Sequence, residues 1–229
     1  MSVARPMANK PKRRVYLVDD HPLVREWLMN LINQQPDLEV CGEAENATDA
    51  LVGIGRTRPS LAVIDISLNA ASGLELIKDL CIQYPLVAAL VLSMHEEELY
   101  AERAMRAGAR GYVRKREISK NILVAIRRVL EGGIYVSEKL SNAMALKFLK
   151  GHEGVGVAQS RVDQLSDREL EVFELLGKGR PTSQIAEQLH ISLKTVQAYC
   201  VRAKEKLGLT TAAELLREAI LWEENAHLR

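Results

Sequence analysis

Polar side chains follow several short apolar runs of the sequence, at the point where each run ends. Asp19 and Asp20 come directly after one run, Asp65 follows another, Ser93 closes a third and Lys115 comes just after a fourth. If these runs are parallel strands, their carboxyl ends meet in one crevice and the side chains gather there. Three clustered carboxylates repel one another unless a cation joins them, and Mg²⁺ prefers oxygen ligands. The pattern therefore predicts a magnesium site.

The same residues fit one kind of chemistry, the transfer of a phosphoryl group to a carboxylate. Mg²⁺ would neutralise the incoming phosphate while Asp65 attacks phosphorus. Lys115 supplies a mobile positive charge and Ser93 a hydroxyl, and both can hold phosphoryl oxygens. Taken singly, each residue has an ordinary explanation, such as a turn cap at Asp19 and Asp20 or a solvated lysine in RKRE. The ordered combination, one feature at each strand end, favours the functional interpretation.

Alternating strand and helix patterns from Arg14 to about Val136 must position these residues. Five short apolar runs, most of them rich in β-branched residues, suit strands of a parallel sheet covered on both faces. Amphipathic stretches separate them, and this alternation specifies an α/β domain, a doubly wound (βα)5 unit. The predicted strands are Val15–Val18, Leu38–Ala44, Leu61–Ile64, Val87–Ser93 and Gly111–Val113. The predicted helices are Pro22–Gln34, Thr48–Gly55, Gly73–Tyr84, Glu97–Ala107 and Ser119–Glu131.

Composition limits the classes of protein to which the chain can belong. Its 229 residues suffice for two modest domains, and 47% hydrophobic with 27% charged residues is ordinary for a globular protein. No apolar run approaches the length of a membrane span, and the basic start lacks the apolar stretch of a secretory signal. Three widely separated cysteines argue against disulfides and zinc, so we expect a cytoplasmic protein with no membrane partner. A net charge of +1 requires any basic nucleic-acid-binding surface to be local.

The C-terminal part of the chain is predicted to be all-α, with four helices. Each helix start carries a serine or threonine of the kind that caps helices, and a glutamate three residues later completes a capping box at the first and last of them. The predicted capping residues are Ser166, Thr182, Ser192 and Thr211. Gly208 is predicted to close the third helix in the left-handed conformation that glycine favours.

These patterns divide the chain into four parts. Residues 1–13 are predicted to form a flexible basic tail, residues 14–134 the (βα)5 domain and residues 163–229 the helical domain. Residues 135–162 are predicted to be a linker, because glycines and polar residues dominate its second half. Within that linker, Ser137–Leu149 has the pattern of a single helix.

Two consecutive helices of the C-terminal part fit a helix-turn-helix, in which the second helix lies in the major groove of DNA. The outer face of that helix, Ser192–Leu207, concentrates positive charge on one surface, whereas most basic runs are merely solvated. Gln197 can pair with adenine and Ala198 can pack on a thymine methyl, while the lysines and the arginine suit phosphates. The predicted DNA-binding residues are Lys194, Thr195, Gln197, Ala198, Val201, Arg202, Lys204 and Lys206.

The first domain resembles the receiver domain of two-component response regulators, which has a flavodoxin-like fold. The resemblance covers nearly all of Arg14–Gly133 through YLVDDH, VIDIS, GLELI, VLSMHEE and GYVRK. It implies that Asp65 is the phosphoacceptor and that Asp19, Asp20 and the backbone carbonyl of Ser67 bind Mg²⁺ with it. It also implies that Ser93 is the switch hydroxyl, Lys115 the phosphoryl-binding lysine and Tyr112 the aromatic that changes rotamer on activation. Asn69 and Ala70 stand where receivers often have proline and glycine, which puts the phosphoryl lifetime in question.

The second domain resembles the LuxR-type helix-turn-helix, and the domain order is that of the NarL/FixJ family. The match spans about Asp163–Leu209 through LSDRELEVF, IAEQL and TVQAY. It implies double-stranded DNA as ligand and a sensor histidine kinase, or a small phosphodonor, as the source of the phosphoryl group. Activation is expected either to release the helix-turn-helix from the receiver or to favour a homodimer. Many relatives carry a basic residue at the position of Gln197 and a histidine at that of Tyr199, so the DNA sequence that relatives prefer does not transfer to this chain.

Two other classes of protein remain open on the sequence. One is a signalling adaptor, in which the receiver acts through protein partners and the helical domain has lost DNA binding. The other is a Mg²⁺-dependent phosphohydrolase with Asp65 as nucleophile. Such hydrolases usually place a general acid two residues after the nucleophile, and Ser67 stands there instead. We therefore expect no turnover beyond autophosphorylation from small donors and slow self-dephosphorylation.

Overall fold

The computed structural model describes residues 11–68, 73–94, 97–142 and 161–227. The chain divides into two compact units, Met1–Ala143 and Met144–Arg229. Most of the predicted basic tail and the departures at Asn69 and Ala70 lie outside the described residues, as does most of the predicted helix Ser137–Leu149, of which residues 138–142 are described and helical.

A five-stranded parallel sheet forms the centre of the first unit, in the order β2-β1-β3-β4-β5. The strands are β1 Arg13–Val18, β2 Leu38–Ala44, β3 Leu61–Asp65, β4 Ala88–Ser93 and β5 Gly111–Arg114. Five helices connect or follow them: α1 Pro22–Asn33, α2 Ala47–Thr57, α3 Gly73–Gln83, α4 Glu97–Ala107 and α5 Ile118–Leu130. A short 3-10 helix, Lys115–Glu117, lies between β5 and α5. The predicted doubly wound (βα)5 architecture is confirmed.

The central strands are buried on both faces, which explains their nearly continuous apolar composition. Every residue of β3 is buried, Asp65 included. The start of α3 packs directly on the end of this strand, because a Cβ on Gly73 would lie 2.2 Å from the Asp65 carbonyl oxygen. The Gly73 N–H donates to the Ile66 carbonyl at 2.9 Å. Only glycine permits this approach, and the close packing holds the backbone of Asp65 in place.

The chain after α5 returns along the free edge of β5. Gly111 and Tyr135 form a parallel bridge. The Tyr112 N–H donates to the Tyr135 carbonyl at 2.8 Å, and the Tyr135 N–H donates to the Arg110 carbonyl at 3.0 Å. This pairing covers an edge that would otherwise expose unpaired backbone groups. Tyr135, the first residue assigned to the linker by sequence, is thus attached to the sheet.

The second unit is helical. After a 3-10 turn, Arg161–Gln164, it contains α6 Asp167–Gly177, α7 Thr182–Gln188, α8 Leu193–Leu207 and α9 Ala212–His227. The helices pack around buried apolar residues that include Leu170, Phe173, Ile185, Val196 and Leu215. Phe173 meets Trp222 edge to face, with ring centroids 5.8 Å apart. The predicted four-helix domain is confirmed.

The predicted helix caps are confirmed at three of the four starts. Ser166 and Glu169 form a complete capping box, and Ser192 accepts from the Thr195 N–H. The Glu214 N–H donates to Thr211 Oγ1, and the Thr211 N–H donates to Glu214. The prediction for Thr182 was wrong by one position: the proline before it is the N-cap and makes no side-chain cap. Proline's fixed φ suits that boundary, so Thr182 becomes the first helical residue.

No helix among the described residues is both long enough and apolar enough to cross a membrane.

Candidate functional site

Three charged side chains meet in a buried cluster at the carboxyl ends of β1, β3 and β5. Lys115 Nζ lies 2.7 Å from Asp65 Oδ2 and 2.7 Å from Asp19 Oδ2. The exposed fractions are 1% for the Asp65 side chain, 2% for Asp19 and 8% for Lys115. Each residue comes from the end of a different strand, so the parallel sheet brings together groups that are far apart in sequence. We call Asp19, Asp65 and Lys115 the acidic cluster.

Asp20 and His21 extend the acidic cluster towards α1. His21 Nδ1 lies 2.7 Å from Asp20 Oδ1 and 3.0 Å from Asp19 Oδ1, and the His21 N–H donates to Asp19 Oδ1 at 2.9 Å. The strand-end pattern does not predict this contact, and the only sequence signal for it is that His21 directly follows the acidic pair. Arg25 fixes the same turn, because its Nη1 donates to the Asp19 carbonyl at 2.5 Å while its Nε pairs with Glu43 at 3.1 Å.

Burial and mutual charge set the ionisation of the acidic cluster. Burial raises the pKa of the Asp65 carboxyl, Lys115 opposes that shift, and Asp19 adds to it. Burial, the largest single influence on Lys115, lowers its pKa, but the carboxylates of Asp65 and Asp19 together raise it above its usual value. Lys115 is therefore charged at neutral pH. A raised pKa makes the ionised Asp65 carboxylate more basic, which favours attack on an electrophile.

The acidic cluster fits a divalent cation. Asp19, Asp20, His21 and Asp65 offer ligand atoms that all lie within 4.8 Å of one another. Asp19 Oδ2 and Asp20 Oδ1 are buried and accept no hydrogen bond of good geometry, although each has a nitrogen 2.7 Å away. Lys115 supplies one positive charge against the three carboxylates of Asp19, Asp20 and Asp65, and a divalent cation would compensate the rest. Hard oxygen donors suit Mg²⁺, and the carboxylates can provide them without rearrangement of the strands.

Three further predicted residues lie on strands β3, β4 and β5 or next to them. The Ser67 N–H donates to Asp65 Oδ1 at 3.1 Å, which orients the carboxylate. Ser93 is completely buried and is the last residue of β4. Tyr112 on β5 is 1% exposed and pairs in register with Val91 of β4, so the described conformation has its ring inside the domain.

The predicted recognition helix, α8, is capped at both ends. Ser192 Oγ accepts the Thr195 N–H at 3.0 Å and lies 2.7 Å from the Thr195 hydroxyl, so Thr195 takes part in the cap. Gly208 closes the helix with φ of 70°. Val196 and Leu207 are among the buried residues of its inner face. On the opposite face, Lys194, Val201 and Glu205 are exposed and Ala198 is half-buried.

The predicted DNA-binding residues differ in how far they are free to reach a ligand. Arg202 lies over the Tyr199 ring, 5.6 Å from its centroid. Lys206 Nζ binds Glu169 Oε2 at 2.6 Å, and that glutamate is 3% exposed. This ion pair gives Lys206 a partner within the domain, and its prediction as a phosphate contact stays a prediction. The exposed members of the predicted set are Lys194, Gln197, Val201, Arg202 and Lys206, whereas Thr195, Ala198 and Lys204 are half-buried.

Two family models match the chain, one for each compact unit. The model described as response regulator receiver domain matches residues 15–127. The model described as bacterial regulatory proteins, luxR family, matches residues 163–219. Both describe regulatory domains and neither describes an enzyme family.

Curated relatives align with the chain over nearly its whole length. Transcriptional activator protein ExaE of Pseudomonas putida is 36% identical over 206 residues, which are 90% of this chain and 95% of that protein. Oxygen regulatory protein NreC of Staphylococcus aureus is 32% identical over 209 residues, 90% of this chain and 96% of that protein. The chain is a response regulator of the NarL/FixJ family.

Solved structures share the fold of this response regulator. A LuxR-family two-component response regulator from Aurantimonas is 31% identical, with a TM-score of 0.56, and covers 60% of this chain and 99% of its own. RcsB from Salmonella enterica serovar Typhimurium, bound to promoter rprA in the presence of phosphomimetic BeF3⁻, has a TM-score of 0.57 at 23% identity over 90% of this chain and 97% of its own.

Proposed function

We propose that this response regulator accepts a phosphoryl group on Asp65 from a sensor histidine kinase and that phosphorylation controls its binding to double-stranded DNA. The observation that carries the proposal is the position of the Lys115 ammonium, 2.7 Å from both Asp65 and Asp19 in a buried cluster. A mobile cation held against a buried nucleophile is ready to transfer to the oxygens of an incoming phosphoryl group.

The chemistry begins at the Asp65 carboxylate. One of its oxygens forms a bond to phosphorus as the bond between phosphorus and the donor's histidine nitrogen breaks, and that nitrogen keeps the electron pair. Asp19, Asp20, Asp65 and the Ser67 carbonyl would hold Mg²⁺, which supplies positive charge to the phosphoryl oxygens. The Ser67 N–H, which donates to Asp65 Oδ1, fixes the other carboxylate oxygen during the attack.

The phosphorylated Asp65 changes the partners of the residues around it. Lys115 moves from the free carboxylate to a phosphoryl oxygen, and the Ser93 hydroxyl donates to another. Tyr112 follows Ser93, so that the surface formed by β4, α4 and β5 shifts between two states. We expect hydrolysis of the acyl phosphate to be slow, with no external substrate beyond small phosphodonors.

The output is the helix α8. Lys194, Arg202, Lys204 and Lys206 would bind phosphates and fix the register on DNA, and Gln197 and Ala198 would face base edges. Two copies of the chain would place two recognition helices on paired half-sites, which makes a homodimer the expected active form. Because its ligand is chromosomal DNA, we place the protein in the cytoplasm.

The test is DNA affinity measured on the full chain in three states: untreated, treated with acetyl phosphate and Mg²⁺, and carrying Asp65→Ala. We expect acetyl phosphate to increase the DNA affinity of the unaltered chain and to leave the DNA affinity of the Asp65→Ala variant unchanged. Asp79→Ala, an exposed aspartate on α3, is the matched control and should respond like the unaltered chain. Equal affinity in all states would exclude phosphorylation control, and no salt-dependent DNA binding at all would favour the signalling adaptor.

A further inference from the structure

The outward face of α8 is defined by its buried face. Successive residues of an α-helix are about 100° apart around the axis. Val196, Ala203 and Leu207 are buried and mark the inner side. The residues opposite them are Lys194, Ala198, Val201 and Glu205. Gln197 and Arg202 lie on the two flanks of this face.

The middle of the outward face is apolar. Val201 is 47% exposed although a valine is neither a strong helix former nor a residue that gains from water. Ala198 lies one turn before it on the same side and is half-buried. Elsewhere on a protein surface, an exposed valine beside an alanine would need no functional explanation. On the one face that a helix-turn-helix presents to the major groove, the two methyl-bearing side chains match the C5-methyl group of thymine.

The polar residue beside this pair is also selective. Gln197 is exposed and carries both a donor and an acceptor, the combination that pairs with adenine N6 and N7. Guanine is read mainly by arginine or lysine. On this face Lys194 lies in the first turn, and Arg202, on the flank, lies over the Tyr199 ring. Glu205 lies one turn beyond Val201, towards the C-terminal end and away from the residues that read bases.

We propose that α8 reads a half-site whose central base pairs are A·T, with Gln197 on adenine and with Ala198 and Val201 on thymine methyl groups. Lys194 binds the DNA at the outer end of that half-site. The inference rests on the proposed function, because it assumes that α8 enters the major groove. It adds the class of DNA sequence and assigns the selectivity to three side chains.

Selection from a random pool of double-stranded DNA gives the site on which to test the proposal. The full chain, treated with acetyl phosphate and Mg²⁺, is expected to enrich half-sites with consecutive A·T pairs at their centre. Two altered probes then remove single groups from the enriched site. Deoxyuridine in place of thymidine deletes the C5-methyl group, and 7-deazaadenine in place of adenine deletes the N7 acceptor.

The expected losses are specific to the side chain. The unaltered protein should lose about three- to fourfold in affinity for each contacted methyl that deoxyuridine removes. The Val201→Ala variant should lose less affinity when deoxyuridine replaces thymidine, because the alanine side chain makes a smaller contact with the thymine methyl group. The protein should lose about fivefold or more on 7-deazaadenine, and Gln197→Ala should bind both adenine forms equally. Val52→Ala and Gln83→Ala, exposed residues of the first unit, are the matched controls and should behave like the unaltered chain.

The possible outcomes separate the two proposals. Enrichment of half-sites with G·C at the centre overturns the A·T inference and leaves DNA binding intact. The A·T inference is also overturned, with DNA binding intact, if Val201→Ala and Gln197→Ala respond to the altered probes as the unaltered protein does. Failure to enrich any sequence, together with no salt-dependent binding to mixed genomic DNA, overturns the proposed function itself and the inference with it.

Discussion

Lys115 determines the charge balance of the acidic cluster. Its ammonium pairs with the buried carboxylates of Asp65 and Asp19, each 2.7 Å away, and compensates part of their charge. Breaking a buried ion pair by removing one partner leaves an uncompensated charge, which costs more than the pair contributes. The lysine that is proposed to hold the phosphoryl group therefore also holds the unphosphorylated site together.

Lys115→Ala is expected to lower the free energy of unfolding of the first unit by about 3–5 kcal/mol at neutral pH. Added Mg²⁺ should recover part of the loss, because a divalent cation can replace the missing charge. Urea unfolding followed by Trp27 fluorescence, in a Trp222→Phe background, measures both effects. Lys120→Ala, an exposed lysine on α5, should change neither. A Lys115→Ala protein as stable as the parent, with and without Mg²⁺, would contradict the proposed charge balance.

At the level of secondary-structure packing, the contact between α3 and β3 sets the position of Asp65. A Cβ at Gly73 would approach backbone atoms, the Asp65 carbonyl oxygen at 2.2 Å and the Ile66 Cα at 2.8 Å. Gly73→Ala is therefore expected to cost about 1–3 kcal/mol and to slow phosphorylation by acetyl phosphate. Gly132→Ala, where nothing lies within 4 Å, should carry only the cost of its left-handed φ and leave phosphorylation unchanged. Normal phosphorylation of Gly73→Ala would show that Asp65 tolerates a shift of its strand.

The ion pair between Glu169 of α6 and Lys206 of α8 predicts an acid-sensitive second unit. Burial alone would raise the pKa of Glu169, but Lys206 and Ser166 together hold that pKa below its ordinary value of 4.5. A carboxyl with a lowered pKa in the folded state adds stability above its unfolded pKa, and this stability is lost as pH falls through the folded value.

Glu169→Gln is expected to destabilise the second unit by about 1.5–3 kcal/mol at pH 7, because a charged hydrogen bond is lost. The difference from the parent should narrow below about pH 4.5 as the parent's carboxyl takes up a proton. Trp222 fluorescence in a Trp27→Phe background reports the transition, since Trp222 packs on Phe173. Glu205→Gln, an exposed glutamate on α8, should keep the parent's pH profile. A constant difference across this range would show that Glu169 acts through packing and not through charge.

The elements and the strand-end residues could be predicted from sequence because each depends on a local pattern. Apolar runs locate the strands, and a parallel sheet then brings Asp19, Asp65 and Lys115 to one edge whatever the details of packing. The pairing of Lys206 with Glu169 could not be predicted, since it depends on how α6 and α8 cross. The contact of His21 with two aspartates depends on the path of a single turn, and spacing alone does not encode that path.

The whole molecule consists of two compact units with different tasks, and its function requires an energetic coupling between them. If phosphorylation of Asp65 raises DNA affinity by some factor, DNA must raise the affinity of Asp65 for a phosphoryl mimic by the same factor. Typical couplings are about 1–3 kcal/mol, or about five- to 150-fold. Trp27 lines a small cavity with Lys115 and Ile118, so its fluorescence is placed to report on the acidic cluster.

This reciprocity gives the prediction that belongs to the whole chain. Beryllofluoride with Mg²⁺ is titrated into the Trp222→Phe protein. Its binding should be tighter when the selected DNA site is present, and by the same factor by which beryllofluoride tightens DNA binding. DNA of unselected sequence serves as the control and should add less. Asp65→Ala should abolish the titration with either DNA. If both ligands bind with affinities independent of each other, the two units are uncoupled, and the receiver must act through a partner other than the DNA-binding domain of its own chain.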